Sequence, residues 1–339
     1  MSPPPPASLA LSTDAVDIDL LSPVVIEANE ARLRRQGFVA VVVASVCIGF
    51  SPIFIRLADV GPAAVGFWRL FFALGPTALW AYAEYRSARA RGPHARSSDA
   101  RLPLFTGRQL VLALVAGLFF GADLVMFHAG LARTTTANGI LLGNLAVVFV
   151  LVFGWLFLGE RPTVGLLVAL MLALTGTGLI ISRSFGAEGG VAGLMGDVLC
   201  VGAALAYAAY MLAVRFVRRG GTDEPALGGG MVSLLANGSG IVVCLSWAIA
   251  TGEAIMPASL QGLLAVVALG VLGQAAGQGL ATFALGRLPA GLISVVQLLQ
   301  IVVGVSLAAL LFGEIPSLVV TLGGLLVVAG VLTARPRRA

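Results

Sequence analysis

Four glutamines carry the chemistry most worth weighing in this chain. Gln274 and Gln278 are spaced i,i+4, and Gln297 and Gln300 are spaced i,i+3, so each pair shares one face of a helix. All four lie inside long apolar stretches. Amides in that setting can bind the ammonium and the carboxylate of a zwitterion without carrying charge themselves. Their other role is interhelical hydrogen bonding, a common glue in membrane bundles. Asn138 and Asn144 are read the same way, and Tyr207 and Tyr210 could stack on an apolar or aromatic side chain. Ionisable groups inside apolar stretches are expensive, so each is a functional candidate. Asp123 is the deepest, a candidate for proton or substrate coupling against a structural hydrogen bond to a neighbouring helix. His128 is the second coupling candidate, against a satisfied polar residue near the interface. The two are five residues apart, about 140° around a helix, so they form no direct dyad. Arg69 falls a turn or two from the end of its stretch and is expected to snorkel to the headgroups. Glu84 and Asp197 lie close enough to an interface to be solvated.

Covalent chemistry finds no foothold in the motifs. The only histidines are His94 and His128, so there is no HExxH zinc site. No GxSxG elbow, Walker loop or Cys-x-x-Cys pair occurs. No cofactor and no metal is expected, and no catalytic residue is assigned. Without an ATP-binding motif, transport would be gradient-driven or facilitated. Cys47, Cys200 and Cys244 each sit alone in an apolar stretch and read as small buried residues.

The elements that must position these residues are membrane-spanning. Apolar residues make up 58% of the 339 residues and charged ones only 11%, too few to cover a soluble surface. About 20 apolar residues cross a bilayer core. That length predicts ten blocks, at 37–57, 62–84, 109–130, 134–158, 162–182, 191–214, 227–251, 260–286, 289–312 and 316–334. Residues 1–36, proline-rich and then acidic, read as a disordered cytoplasmic tail. Glu160-Arg161-Pro162 and Glu314-Ile315-Pro316 read as tight turns, each glutamate placed to favour the N-terminus of the helix that follows it. Pro52 and Pro76 should kink the first and second blocks. Gly117/Gly121, Gly139/Gly143 and Gly273/Gly277 are GxxxG pairs that let helices approach closely.

All 21 basic residues are arginine. With both termini cytoplasmic, 17 of the 21 fall on the inner side, as positive-inside bias requires. This distribution, in loops between apolar blocks, argues against nucleic acid as the partner of the +5 net charge. The partners expected are a small-molecule substrate and the lipid bilayer, with a monomer as the working expectation.

The chain also repeats itself. Shifted by 154 residues, Gly130-Leu131-Ala132-Arg133 aligns with Ala284-Leu285-Gly286-Arg287, and Gly159-Glu160-Arg161-Pro162 with Gly313-Glu314-Ile315-Pro316. The unit is five helices, residues 37–183 and 184–335. Five is odd, so the copies lie inverted in the membrane, an arrangement that recurs in secondary transporters.

The Leu-x-Arg start of the fourth and ninth blocks, the Gly-Glu-x-Pro exit and the duplicated five-helix unit resemble the drug/metabolite transporter superfamily, EamA type, over about residues 37–335. In overall impression the chain looks most like the YddG-type amino-acid exporters, including those handling aromatic amino acids. The resemblance implies an all-α membrane protein of ten transmembrane helices, as two inverted five-helix repeats around a central cavity bounded by spans 1, 3, 4, 6, 8 and 9. It implies cytoplasmic termini, a bacterial inner (plasma) membrane and alternating access for amino acids. An exporter of drugs, nucleosides or other metabolites is the alternative within the superfamily. A channel and a membrane-embedded enzyme are the rivals outside it.

Overall fold

A computed structural model describes residues 23–90, 105–134, 136–182, 192–220, 226–312 and 317–334. Among these every regular element is a helix. In chain order they are α1 (Pro23–Gly49), α2 (Ser51–Leu57), α3 (Pro62–Ala90), α4 (Gly107–Leu131), α5 (Thr136–Gly143), α6 (Ala146–Leu158), α7 (Val164–Ser182), α8 (Ala192–Arg219), α9 (Gly229–Thr251), α10 (Leu260–Ala268), a π-helical stretch (Leu269–Gln278), α11 (Gly279–Leu285), α12 (Ala290–Gln297), α13 (Leu299–Phe312) and α14 (Leu318–Thr333). Among the described residues seven helical stretches are long and apolar enough to cross a membrane. Three shorter apolar helices, Ala146–Leu158, Val164–Leu179 and Leu318–Thr333, accompany them.

Several expected features take a different form. The first helix starts at Pro23 rather than at residue 37. No glycine or proline interrupts the sequence between Pro23 and Gly37, and Glu30 meets Arg34 one turn on at 3.3 Å. Residues 1–22 of the expected tail lie outside the described residues, as do Glu314, Ile315 and Pro316. Near Pro52 the span Asn29–Leu57 is interrupted by a single turn residue, Phe50, and Pro52 falls in the first turn of α2, where a missing N–H is tolerated. At Pro76, by contrast, α3 runs on, with the Thr77 hydroxyl donating to the Ala73 carbonyl at 2.7 Å. The blocks expected at 134–158 and 289–312 are each broken, α5 from α6 at Asn144–Leu145 and α12 from α13 at Leu298.

Those breaks repeat at the interval read from the sequence. Leu131 and Leu285 end their helices, Thr136 and Ala290 begin theirs, and so do Val164 and Leu318, each pair 154 residues apart. Gly143 and Gln297, and Leu158 and Phe312, end helices at the same separation.

Packing explains which faces are buried. α4 lies against α8 and α9, α3 against α9 and the π-helical stretch, α1 against α11 through α13, and α7 against α14. Outward positions carry large apolar side chains, among them Leu79, Leu156, Phe157, Val164 and Leu310, all more than two-thirds exposed. Apolar exposure on this scale fits a lipid surround. Small residues set the closest approaches. A Cβ on Gly121 would stand 2.8 Å from the Gly240 carbonyl oxygen, and one on Gly117 would collide with the Ala236 carbonyl of α9. We therefore expect Gly117→Ala to cost about 1–3 kcal/mol through overpacking. Gly178, with nothing within 4 Å of its Cβ position, is the control. Thermal unfolding in detergent checks this: Gly117→Ala should lower the midpoint and Gly178→Ala leave it in place.

Candidate substrate site

The polar side chains of the apolar helices gather in two connected groups. In the first, the Nε of Arg69 on α3 donates to Gln274 Oε1 at 2.8 Å, and Gln274 Nε2 donates to Asn237 Oδ1 on α9 at 2.9 Å. In the second, the Tyr207 hydroxyl on α8 donates to Gln297 Oε1 at 3.1 Å, and Gln297 Nε2 donates to Gln278 Oε1 at 3.4 Å. Gln274 and Gln278 both lie in the π-helical stretch. Its i→i+5 bonding is a frequent mark of functional segments in helices.

An aromatic group joins the two. Phe120 on α4 stacks on Tyr210 with ring centroids 4.6 Å apart and lies 6.4 Å from Tyr207. Tyr207 and Tyr210 are 5.8 Å apart. The Arg69 guanidinium sits over the Phe120 ring at 5.8 Å. Arg69 thus does not snorkel: it is 9% exposed, held inward by the Gln274 amide. Asp123, one turn beyond Phe120, is half-buried and within electrostatic reach of Arg69 and both tyrosines.

Other candidates stand apart from these contacts. A turn at Leu298 falls between Gln297 and Gln300 within the spanning stretch Ala290–Leu311. Gln297 is buried and bonded, whereas Gln300 is half-buried and makes no side-chain hydrogen bond among the described residues. Asn144 gives its amide to the Ile140 carbonyl of its own helix at 2.9 Å. The side chain of Asn138 lies outside the described residues. His128 Nδ1 is buried without a partner among the described residues. Asp197 is not simply solvated, since it accepts from the Thr134 hydroxyl at 2.5 Å. An apolar groove of about 480 Å³ opens between α2 and α10, lined by Phe54, Leu57, Leu260 and Leu264. It contains no charged group and none of the clustered amides, so it is not the site.

Carboxylates close the helix ends around the cluster. Glu84, near the end of α3, accepts from Gly229 N at 3.0 Å and Gly230 N at 2.9 Å, at the start of α9. Glu253, just after α9, accepts from Ala63 N at 2.8 Å and Ala64 N at 3.2 Å, at the start of α3. The two antiparallel helices cap one another. Glu160 also meets a helix N-terminus, but that of α12, accepting from Ala290 N at 2.8 Å, and not that of α7 as sequence order suggested. Its other oxygen takes the Arg215 Nε at 2.6 Å, and Arg215 Nη1 donates to the Leu285 carbonyl at 2.6 Å. Arg218 and Arg219 donate to the Leu227 and Leu158 carbonyls nearby.

Sequence reasoning missed Asn237, the inward role of Arg69, and the partners of Glu84 and Glu253. Asn237 is an amide in mid-block of an apolar stretch, and the rule that flagged the glutamines would have found it. Among the described residues no group of three or more His, Cys, Asp or Glu is placed to hold a metal ion.

Spanning helices with lipid-facing apolar sides and a polar cluster gathered among them define a polytopic helical membrane protein. The model of the EamA-like transporter family matches residues 35–182 and again 194–335, and the chain belongs to that family. Its members are transporters. No curated protein matches the chain. A solved structure titled only as the crystal structure of a protein superposes with a TM-score of 0.66, over 89% of this chain and 98% of its own, at 18% identity. That likeness concerns the fold.

Breaking one member of a nearly buried ion pair costs about 3–5 kcal/mol, since its partner is left uncompensated. Glu160 and Arg215 have side chains only 11% and 12% exposed. Arg215→Ala should therefore destabilise strongly, and the Glu160→Ala/Arg215→Ala double variant by clearly less than the sum of the singles. A double-mutant cycle on detergent-solubilised protein measures that coupling, and strict additivity would dismiss it.

Proposed function

We propose that this chain is a secondary transporter of amino acids, aromatic ones included, that works by alternating access. Its ten helices form two inverted five-helix repeats, residues 37–183 and 184–335, in a bacterial inner membrane with both termini cytoplasmic. The observation that carries this reading is the position of the polar and aromatic cluster. Arg69 and Phe120 belong to the first family-matched segment, while Gln274, Gln278, Gln297, Tyr207 and Tyr210 belong to the second. A binding site shared between two related halves is what alternating access needs, because rocking one half against the other opens it to either side.

The recurrence of helix bounds at 154 residues supports the repeat. An odd number of helices per unit supports the inversion, as does the reciprocal capping of α3 and α9 by Glu253 and Glu84. Gln278, Gln297 and Tyr207 offer neutral donors and acceptors to a zwitterion, and Tyr210 with Phe120 offers an aromatic wall. Gln300 has an amide free to meet a substrate, and Asn144 keeps its side-chain oxygen, Oδ1, for the same purpose.

Counterflow in proteoliposomes tests this. Vesicles loaded with one unlabelled amino acid should transiently accumulate a labelled amino acid, and only when the internal one is a substrate. Gln278→Ala and Gln300→Ala should each cut that accumulation about tenfold, the loss expected for one or two hydrogen bonds in a sealed site, without lowering folded yield. Full activity in both variants would remove the amide site. No accumulation with any amino acid, in vesicles holding folded protein, would turn the reading to nucleosides or drugs.

A further inference from the structure

Arg69 and Asp123 are a guanidinium and a carboxylate that face one another electrostatically without pairing. Arg69 stands seven residues from the start of α3 and Asp123 eight from the end of α4. At 1.5 Å per residue these are about 10 and 12 Å from neighbouring helix ends, so the two groups lie at matching depth. They form no ion pair with each other. The reason is visible on the arginine's far side. Gln274 holds Arg69 Nε at 2.8 Å, Asn237 holds Gln274, and the Phe120 ring lies against the guanidinium, so the side chain is anchored where it is.

Both groups therefore keep unused capacity. The two terminal nitrogens of Arg69 make no hydrogen bond among the described residues and are not sealed from solvent. Asp123 accepts no hydrogen bond among the described residues and is half-buried. Opposite charges in an apolar bundle gain most by meeting, and two that are held near one another without pairing suit a ligand that carries both charges.

We propose that Arg69 and Asp123 form a two-charge clamp for a zwitterionic amino acid, with the substrate carboxylate on the terminal nitrogens of Arg69 and its ammonium on Asp123. This rests on the transport reading above and narrows it. Phe120, Tyr207 and Tyr210, packed around the pair, receive an aromatic or apolar side chain. The clamp discriminates by what an incomplete ligand leaves behind. A carboxylic acid without an amine strands Asp123, and an amine without a carboxylate strands Arg69, each a buried charge left unpaired. Site and substrate are each neutral overall, so the loaded carrier moves no net charge.

The experiment uses counterflow of phenylalanine against phenethylamine and 3-phenylpropionate on the full chain in proteoliposomes. Wild type should prefer phenylalanine over either analogue by at least about tenfold, the order expected for one charge-assisted hydrogen bond. The near-isosteric Asp123→Asn should erase the preference over 3-phenylpropionate while keeping the preference over phenethylamine. Arg69→Gln should do the reverse. If Arg69→Gln fails to fold, Asp123→Asn alone still decides, because its two ratios must move differently. Three results overturn the clamp. One is amino-acid exchange whose selectivity Asp123→Asn leaves unchanged, which spares the transport reading. Another is a wild type driven by a proton gradient whose dependence alone is lost in Asp123→Asn, which makes Asp123 a proton carrier. The third is no exchange of any amino acid, which overturns clamp and transport reading together.

Discussion

A guanidinium inside a bundle of apolar helices sets the terms for much of what surrounds it. Arg69 is nearly buried on a helix that faces lipid on its other side, and a charge there is tolerable only where polar groups meet it. Gln274 meets it directly, and Asn237 fixes Gln274 in turn. The Phe120 ring covers the guanidinium's side, and the tyrosines of α8 complete the surround. Meeting that charge draws α3, α4, α8, α9 and the π-helical stretch to one place.

The same logic governs the helix ends. Each helix leaves backbone N–H groups unbonded at its start, and in a membrane protein water is not always there to take them. This chain meets several of them with carboxylates from other helices. Glu84 and Glu253 tie α3 and α9 together at both ends, and Glu160 ties the end of α6 to the start of α12 while holding Arg215. These contacts join elements far apart in sequence.

The helix breaks carry a second lesson. α5 and α6, and again α12 and α13, divide what hydropathy reads as one continuous span. Asn144 stands at the first break and Gln297 just before the second, so each break sets an amide in otherwise apolar sequence. At the first, the amide is turned back on its own helix; at the second, it joins Tyr207 and Gln278. The two amides stand one position out of register with the repeat interval, and their different contacts are decided by which neighbours lie opposite.

Hydropathy, arginine placement and the 154-residue interval were legible in the sequence because each is a property of residue type and order. Long apolar blocks must bury backbone hydrogen bonds within helices, and a duplicated segment keeps its helix boundaries whatever it packs against. The amide clusters were legible as candidates for the same reason, since polar groups are scarce in such blocks. Their partners were not. Whether Gln274 meets Arg69, whether Glu160 caps α7 or α12, and whether Arg69 reaches outward or inward depend on which helices stand side by side. Pairings between residues such as Arg69 and Gln274, 205 positions apart, are fixed by packing of small residues at α4–α9 and similar contacts. Residue order fixes what each helix can offer; only the three-dimensional arrangement fixes to whom it is offered.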